Sequence, residues 1–255
     1  PELKYSFLAI RKSSSFIPLE YKIFSTTLKS DEELKKMDSI TFVKEMGNGI
    51  NLGNTMEATN NWLGFNANPE QYELAWGQPI TIKPYFDAYK EAGFDSVRIP
   101  VAWTNTMDWR NGDFEINKDY LERVATVVQY ALDADLYVII NDHWDYGWWG
   151  LFGHDQKTAY KIFDAIWDTV GTYFKDYSPR LVFEAGNEEW GDRFNDKVDG
   201  KPGKLGIGAQ YKLITTLAQR FVDKIRAQGG NNTDRFLLIP GYSTDIDKTV
   251  SPNYV

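Results

Sequence analysis

The chain has 255 residues, of which 42% are hydrophobic and 25% charged, and this balance excludes a collagen, a coiled coil and bulk disorder. That length suits one α/β barrel or two smaller domains. The net charge of −8 gives the wrong field for binding nucleic acid through its phosphates, and the lack of cysteine excludes disulfides, a thiol nucleophile and cysteine-bound zinc.

Two further features of the composition bear on partners. The longest clean apolar run, Leu136–Ile140, is far shorter than the roughly 20 residues of a membrane helix, so we expect no membrane partner. The 9 tryptophans, 15 tyrosines and 15 phenylalanines exceed what a core of this size requires. Aromatic rings stack on the CH-rich faces of sugars, so the excess predicts a carbohydrate-binding surface. A tryptophan-rich core is the alternative.

Residues 1–30 differ from the rest of the chain. They carry more basic than acidic residues and are typical of two short strands around a turn. We interpret them as an N-terminal extension or the remnant of a preceding segment, and residues 31–255 as the portion of the chain that forms the main domain.

From residue 31 onward, strand-like and helix-like segments alternate. Nearly continuous apolar runs are typical of strands covered on both faces, and the helical stripes between them predict helices packed on a sheet. The predicted strands are Gly49–Asn54, Ser96–Trp103, Leu136–Trp144, Leu181–Glu189 and Arg235–Tyr242. Alternation of this kind predicts a parallel sheet, and the lack of a Gly-x-Gly-x-x-Gly motif after the first strand disfavours a dinucleotide-binding fold.

Polar side chains follow four of these strands where the strands end. They are Asn51, Asn54, Arg98, Asn141, Asp142, His143, Glu184, Asn187 and Glu188. The carboxyl ends of the strands form the catalytic face of a (β/α)8 barrel. The pattern therefore predicts a TIM-barrel fold, of which this chain holds about the first five βα units.

Among these residues, Glu188 is the strongest candidate for a catalytic residue. A carboxyl group next to tryptophan at the rim of a barrel should be partly desolvated, which raises its pKa and suits a general acid. The side-chain amide of Asn187 is suited to bind a substrate hydroxyl. The alternative for Glu188 is that it is a surface glutamate in an acidic loop, with no catalytic role. Arg98 lies inside a strand and needs a carboxylate partner, either to orient a catalytic carboxylate or as a structural ion pair.

A metal site is disfavoured. The chain has two histidines, His143 and His154, and no cysteine, which is too few nitrogen and sulfur donors for zinc. We interpret His143 as a hydrogen-bonding residue of a sugar site. Loops after strands carry function on barrels, and the tryptophans in such loops are predicted to bind substrate: Trp62, Trp103, Trp144, Trp148, Trp149 and Trp190.

Four motifs together resemble glycoside hydrolase family 5, and most of all its bacterial endo-β-1,4-glucanases, the cellulases. The motifs are Asn51–Thr55, Gly93–Val101, Val138–Asn141 with His143, and Phe183–Glu184 with Asn187–Glu188. The resemblance runs from about residue 38 to residue 247, in order and at fitting spacings.

The resemblance implies a (β/α)8 barrel and a retaining mechanism on β-glucan or cello-oligosaccharides, with no metal and no organic cofactor. By position, Glu188 matches the acid/base of the family, and Asn187 precedes it. Arg98 matches the arginine near the nucleophile, and His143 the histidine that ends the third strand. Asn54 and the Trp148–Trp149 region match sugar-contacting positions. A secreted enzyme is expected.

The sequence departs from the family pattern at three points. Glu189 and Trp190 follow the matched acid/base where the commonest form has proline, and Trp144 replaces a second histidine, which together indicate a subgroup. No residue matches the nucleophile, a glutamate that ends the seventh strand. Four other acids are available, none at the matching position: Glu57, Asp142, Asp145 and Glu184. We therefore expect a second chain or a swapped segment to complete the barrel.

Two alternatives stay open at this stage. A carbohydrate-binding or assembly protein could keep the aromatic groove without doing chemistry, which the unmatched nucleophile favours and the set of Arg98, His143, Asn187 and Glu188 disfavours. A related hydrolase acting on mannan, xyloglucan or mixed-linkage glucan would share the same motifs.

Overall fold

The computed structural model describes residues 28–60 and 62–250. The predicted N-terminal extension therefore lies almost entirely outside the described residues, and its assignment stays a prediction. Five strands form one parallel sheet in chain order. They are β1 (Gly49–Asn51), β2 (Ser96–Ile99), β3 (Tyr137–Asn141), β4 (Leu181–Glu184) and β5 (Leu237–Leu238). All five predicted strands are confirmed, although each is shorter than predicted: Arg98 lies within β2, Asn141 and Glu184 end β3 and β4, and Asn54, His143 and Glu188 lie in the loops beyond.

Eight α-helices lie in the described part of the chain. They are α1 (Asp31–Lys35), α2 (Ser39–Glu45), α3 (Pro69–Glu73), α4 (Lys83–Glu91), α5 (Lys118–Asp133), α6 (Gln156–Phe174), α7 (Ile207–Ala227) and α8 (Ile246–Thr249). Helices α4 to α7 connect successive parallel strands, which is the arrangement of a (β/α)8 barrel over its first five units. None of the described helices is both long and apolar enough to cross a membrane.

The helices form where local sequence signals agree with the apolar stripe. Pro84 lies in the first turn of α4, where its missing N–H is no loss. Gly93 ends the same helix with φ +90°, a conformation that glycine adopts without strain. In α5, α6 and α7 the predicted stripes are buried against the sheet, including Val124, Ile166 and Ile214.

The register of the sheet decides which side chains meet. Arg98 pairs with Ile139, and Asn141 pairs with Glu184. Paired residues of parallel strands point to the same face, and side chains alternate along a strand. Arg98, Asn141 and Glu184 therefore share the inner face, near the carboxyl ends of β2, β3 and β4.

The opposite end of the sheet is closed by α1 and α2. Phe42 of α2 stacks on Phe236 with ring centroids 3.9 Å apart, and meets the edge of Tyr137 at 5.4 Å. Leu34 and Val182 are buried in the same cluster. This apolar plug excludes water from the amino ends of the strands and leaves the polar residues at the carboxyl ends.

A buried arginine ties the segment before β5 to the end of α6. Arg235 has no exposed surface, and its guanidinium lies 4.8 Å from the ring of Phe183. Its five hydrogen bonds go to the carbonyls of Phe174, Tyr177, Ser178 and Leu181 and to Oδ1 of Asn232. Within the described residues it has no carboxylate partner, so carbonyl dipoles at the end of α6 compensate its charge.

Candidate active site

Arg98 makes the central contacts among the polar side chains at the carboxyl ends of the strands. Its Nε donates to Oε2 of Glu184 at 2.6 Å, and its Nη2 donates to Oδ1 of Asn187 at 3.0 Å. The prediction that this inward-facing arginine has a carboxylate partner is confirmed, and the partner is Glu184. Burial raises the pKa of Glu184, whereas the hydrogen bond and charge of Arg98 act against that rise. The arginine thus orients Asn187, the residue before Glu188.

His143 lies near Arg98 in the loop that follows β3. Burial and the positive charge of Arg98 lower the pKa of His143 to about 4, so the ring is neutral from pH 5 to 8. Its Nδ1 lies 3.3 Å from Nδ2 of Asn141. In the tautomer in which Nδ1 accepts from that amide, Nε2 carries the proton and is free to donate to a hydroxyl group.

The two adjacent glutamates after β4 have opposite environments. Glu188 is exposed, whereas Glu189 is 2% exposed. The expectation that Glu188 is desolvated beside tryptophan is therefore wrong for this structure. Burial raises the pKa of Glu189 to about 7. The reason is that the strand ends at Glu184 and the chain then turns, so strand alternation no longer predicts which side chain points outward.

The loop after β1 is held by a buried carboxylate. Glu57 accepts hydrogen bonds from the backbone N–H groups of Asn54 at 2.5 Å and Thr55 at 2.9 Å. Burial raises the pKa of Glu57. Asn54 is exposed and has φ +61°, so Glu57 fixes an unfavourable backbone conformation that presents Asn54 at the rim.

The predicted sugar-binding tryptophans fall into two groups. Trp62 is 74% exposed and Trp144 is 38% exposed, so both rings are available to a ligand. The other four have no exposed surface: Trp103, Trp148, Trp149 and Trp190. A ring without exposed surface cannot stack on a sugar, so the assignment of these four to substrate binding is wrong for this structure.

The buried tryptophans instead support the strand end that carries His143. Trp103 Nε1 donates to the carbonyl of Asn141 at 2.9 Å, and Trp149 Nε1 donates to the carbonyl of His143 at 3.0 Å. Trp148 and Trp149 stack with ring centroids 4.2 Å apart. Large rings with one N–H donor can fill the core and still fix backbone carbonyls.

The sequence did not predict that three carboxyl side chains would be buried together beneath the rim. Asp142 and Asp145 have no exposed surface, and Glu189 is nearly as buried. Their spacing in the chain offers no signal, because a turn after β3 and another after β4 bring them together. Within the described residues, no three histidine, cysteine or acidic side chains are arranged to hold a metal ion.

Replacement of Glu189 by glutamine is expected to remove a pH-dependent loss of stability. Because the folded-state pKa is raised from 4.5 to about 7, stability from this group is complete below about pH 4.5 and is lost as the pH rises through 7. At about 1.4 kcal/mol per pKa unit, Glu189→Gln should match the wild type at pH 4 and be more stable by up to about 3 kcal/mol above pH 8. Urea unfolding at both pH values measures this difference.

The exposed Glu91 at the end of α4 supplies the control for that experiment. Glu91→Gln should shift stability by no more than a few tenths of a kcal/mol at either pH. Parallel stability curves for wild type and Glu189→Gln between pH 4 and pH 8 would contradict the assignment.

Comparison with known families gives one clear match. The family model described as Cellulase (glycosyl hydrolase family 5) matches residues 52–254. Among curated proteins, "Endoglucanase A" of Paenibacillus barcinonensis is 34% identical over 235 residues, covering 90% of this chain and 54% of that protein. A xyloglucan-specific endo-beta-1,4-glucanase of Bacteroides ovatus is 34% identical over 219 residues, covering 86% and 42%.

Solved structures agree with the sequence matches. A family 5 lichenase mutant from Caldicellulosiruptor sp. F32 in complex with cellotetraose has a TM-score of 0.73 at 35% identity, covering 93% of this chain and 61% of that one. A broad-specificity endoglucanase from Ruminococcus champanellensis with bound cellotriose has the same TM-score at 32% identity, covering 86% and 62%. The chain spans about half the length of the curated relatives it matches.

Proposed function

This chain belongs to glycosyl hydrolase family 5, and we propose that it supplies the acid/base side of an enzyme that hydrolyses β-1,4-glucosidic bonds. The observation that carries the proposal is the contact of Arg98 with both Glu184 and Asn187, which places exposed Glu188 beside an ordered polar cluster. An acid/base must reach both substrate and water, and Glu188 is the accessible one of the two adjacent glutamates.

The proposed reaction is retaining. Glu188 donates its proton to the glycosidic oxygen as the bond from that oxygen to the anomeric carbon breaks. A second carboxylate about 5–5.5 Å away bonds to the anomeric carbon. Glu188, now ionised, takes a proton from water, which displaces the enzyme carboxylate and releases the sugar. We assign that second carboxylate to a segment outside the described residues, because Glu184 is committed to Arg98 and Glu57 to the β1 loop.

Substrate contacts are proposed for the accessible polar and aromatic residues of the rim. Trp62 and Trp144 would stack on glucose rings, and Asn54, Asn187 and neutral His143 would bind hydroxyl groups. A neutral histidine suits an uncharged polysaccharide better than an imidazolium would. The relatives' names include xyloglucan and β-glucan specificities, so we propose cellulose or a related β-glucan as the substrate class. We also propose that the enzyme is secreted, since such polymers lie outside the cell.

The active assembly is proposed to contain further strands. Among the described strands, β1 and β5 each pair on one side only, and an unpaired edge favours addition of another strand. A second chain or a swapped segment would close the barrel, and the segment that closes it must carry the nucleophile opposite Glu188.

The experiment that tests the function uses the 255-residue chain alone and together with a polypeptide that supplies the remaining barrel strands. We expect reducing-sugar release from carboxymethylcellulose by the combination, and little by the monomer, whose state is checked by analytical ultracentrifugation. Hydrolysis at ordinary endoglucanase rates by the monomer would overturn the proposed completion. Calorimetric binding of cellohexaose by the combination, without hydrolysis, would identify a carbohydrate-binding protein instead.

A further inference from the structure

A strained turn follows β3 and carries a fully buried carboxyl. Asp145, Tyr146 and Gly147 have φ values of 46°, 60° and 68° in succession. Two of the three are not glycine, so the turn is unfavourable unless side chains hold it. Asp145 stabilises this turn, because its carboxylate accepts hydrogen bonds from the N–H of Thr104 at 2.9 Å and from Thr104 Oγ1 at 2.5 Å.

Asp142 lies under this turn and lacks an ordinary partner. It has no exposed surface, and neither carboxylate oxygen accepts a hydrogen bond from the described residues. The indole Nε1 of Trp148 faces it and is equally buried and unsatisfied. An ionised carboxylate left buried in this way is costly. The carboxyl of Asp145, three residues further along the same loop, is equally buried and interacts with that of Asp142.

No ion pair in the described part of the chain compensates the charges of Asp142 and Asp145, so protonation of one carboxyl is the simplest way to reduce the cost of burying both. Within the described residues, none of Asp142, Asp145 and Glu189 forms an ion pair. The titratable and charged groups that face the three carboxyls are Tyr120 of α5, Tyr146 of the turn, and Glu188 and Arg193 after β4. Two carboxyls in contact cannot both be ionised at modest cost, so one keeps its proton. Burial and the neighbouring carboxylates raise the pKa of Asp142 well above its usual range.

We propose that Asp142 is a positioning residue that stays a neutral carboxylic acid at pH 7 and donates its proton to Asp145, locking the turn onto the strand end that presents His143. Asp145 is assigned the charge because Thr104 donates to it from both backbone and side chain, whereas Asp142 has no donor of comparable geometry. The proton bridge lies within the loop after β3, and the hydrogen bonds from Thr104 to Asp145 join that loop to the loop after β2. The bridge exists whether or not the chain hydrolyses glucan, so its test does not depend on activity.

The first measurement needs no variant. Infrared spectra of the 255-residue chain, with and without ¹³C-labelled aspartate, should show a protonated aspartate carboxyl at pH 7. Asp142→Asn should abolish that band, because its amide supplies the donor in place of the acid. The control Asp133→Asn, which removes an exposed carboxylate at the end of α5, should leave the band unchanged.

The second measurement tests whether Asp142 positions His143. The chain has only two histidines, so imidazole NMR signals of His143 can be assigned with a His154→Asn variant. Asp142→Asn should keep the wild-type His143 signals, and Asp142→Leu, which cannot donate, should shift or broaden them. A wild type without a protonated aspartate band, a band that survives in Asp142→Asn, or His143 signals unchanged in Asp142→Leu would each overturn the proposal. If Asp142→Leu fails to fold, the infrared band and the Asp142→Asn spectrum still decide.

Discussion

Glu188→Gln, made in the completed barrel, is expected to lower the turnover rate on β-glucan polymer by about 10²- to 10⁴-fold, the usual contribution of general acid–base catalysis. Glutamine keeps the size of the side chain but cannot protonate the glycosidic oxygen or activate water. Glu188 is exposed beside Asn187, which Arg98 holds. The substrate KM should change much less than kcat, because the lost interaction develops only in the transition state.

Two comparisons sharpen that result. A cello-oligosaccharide with an activated aryl leaving group needs no protonation, so Glu188→Gln should retain far more of its glycosylation rate on that substrate. Glu189→Gln is the matched variant, since Glu189 is adjacent in the chain and buried. It should keep polymer turnover within a few-fold at pH 6. If Glu189→Gln lost activity and Glu188→Gln kept it, the assignment of the acid/base would be reversed.

Arg235→Met is expected to destabilise the folded chain by about 4 kcal/mol or more. The guanidinium satisfies four backbone carbonyls and one amide oxygen. Methionine fills similar volume but supplies none of these five hydrogen bonds, although the carbonyls of Phe174, Tyr177 and Ser178 each keep one other donor. A hydrogen bond to a charged group contributes about 1.5–3 kcal/mol. Arg235→Lys should recover only part of the loss, because one ammonium cannot reach all five acceptors. Urea unfolding followed by tryptophan fluorescence measures the change.

Arg220→Met gives the matched control for the buried arginine. Arg220 forms a two-bond ion pair with Asp164 on α6, with its side chain 42% exposed. Exposed pairs contribute about 0–1 kcal/mol. Equal destabilisation by Arg220→Met and Arg235→Met would show that Arg235 is not the structural tie described above.

The strands and the long helices could be predicted from the sequence because they depend on local periodicity. A run such as Val138–Ile140 predicts a covered strand in any context, and the stripe through Val124 and Val128 predicts a helix face. The carboxylate partner of Arg98 was also predictable in kind, since a charge inside a sheet needs compensation. Its identity as Glu184 follows from the register, in which Asn141 and Glu184 are paired.

The parts of the site that lie in turns could not be predicted in the same way. Whether Glu188 or Glu189 is buried depends on a turn of four residues, where neither period applies. Exposure of Trp148 and Trp149 depends on how the strained turn at Asp145 directs the chain, and nothing in the order of residues distinguishes them from exposed Trp144. The composition gives the number of tryptophans, but tertiary packing determines which of them are exposed to a ligand.

The order of the strands has a consequence for how the chain is made. Each described strand after β1 pairs with the one before it, and successive strands begin between 41 and 56 residues apart. At the ordinary pace of translation, about 5–20 residues per second, a ribosome releases one such unit every several seconds. Each emerging strand therefore meets a neighbour that is already formed, and the sheet can grow by accretion from its first strand while synthesis continues.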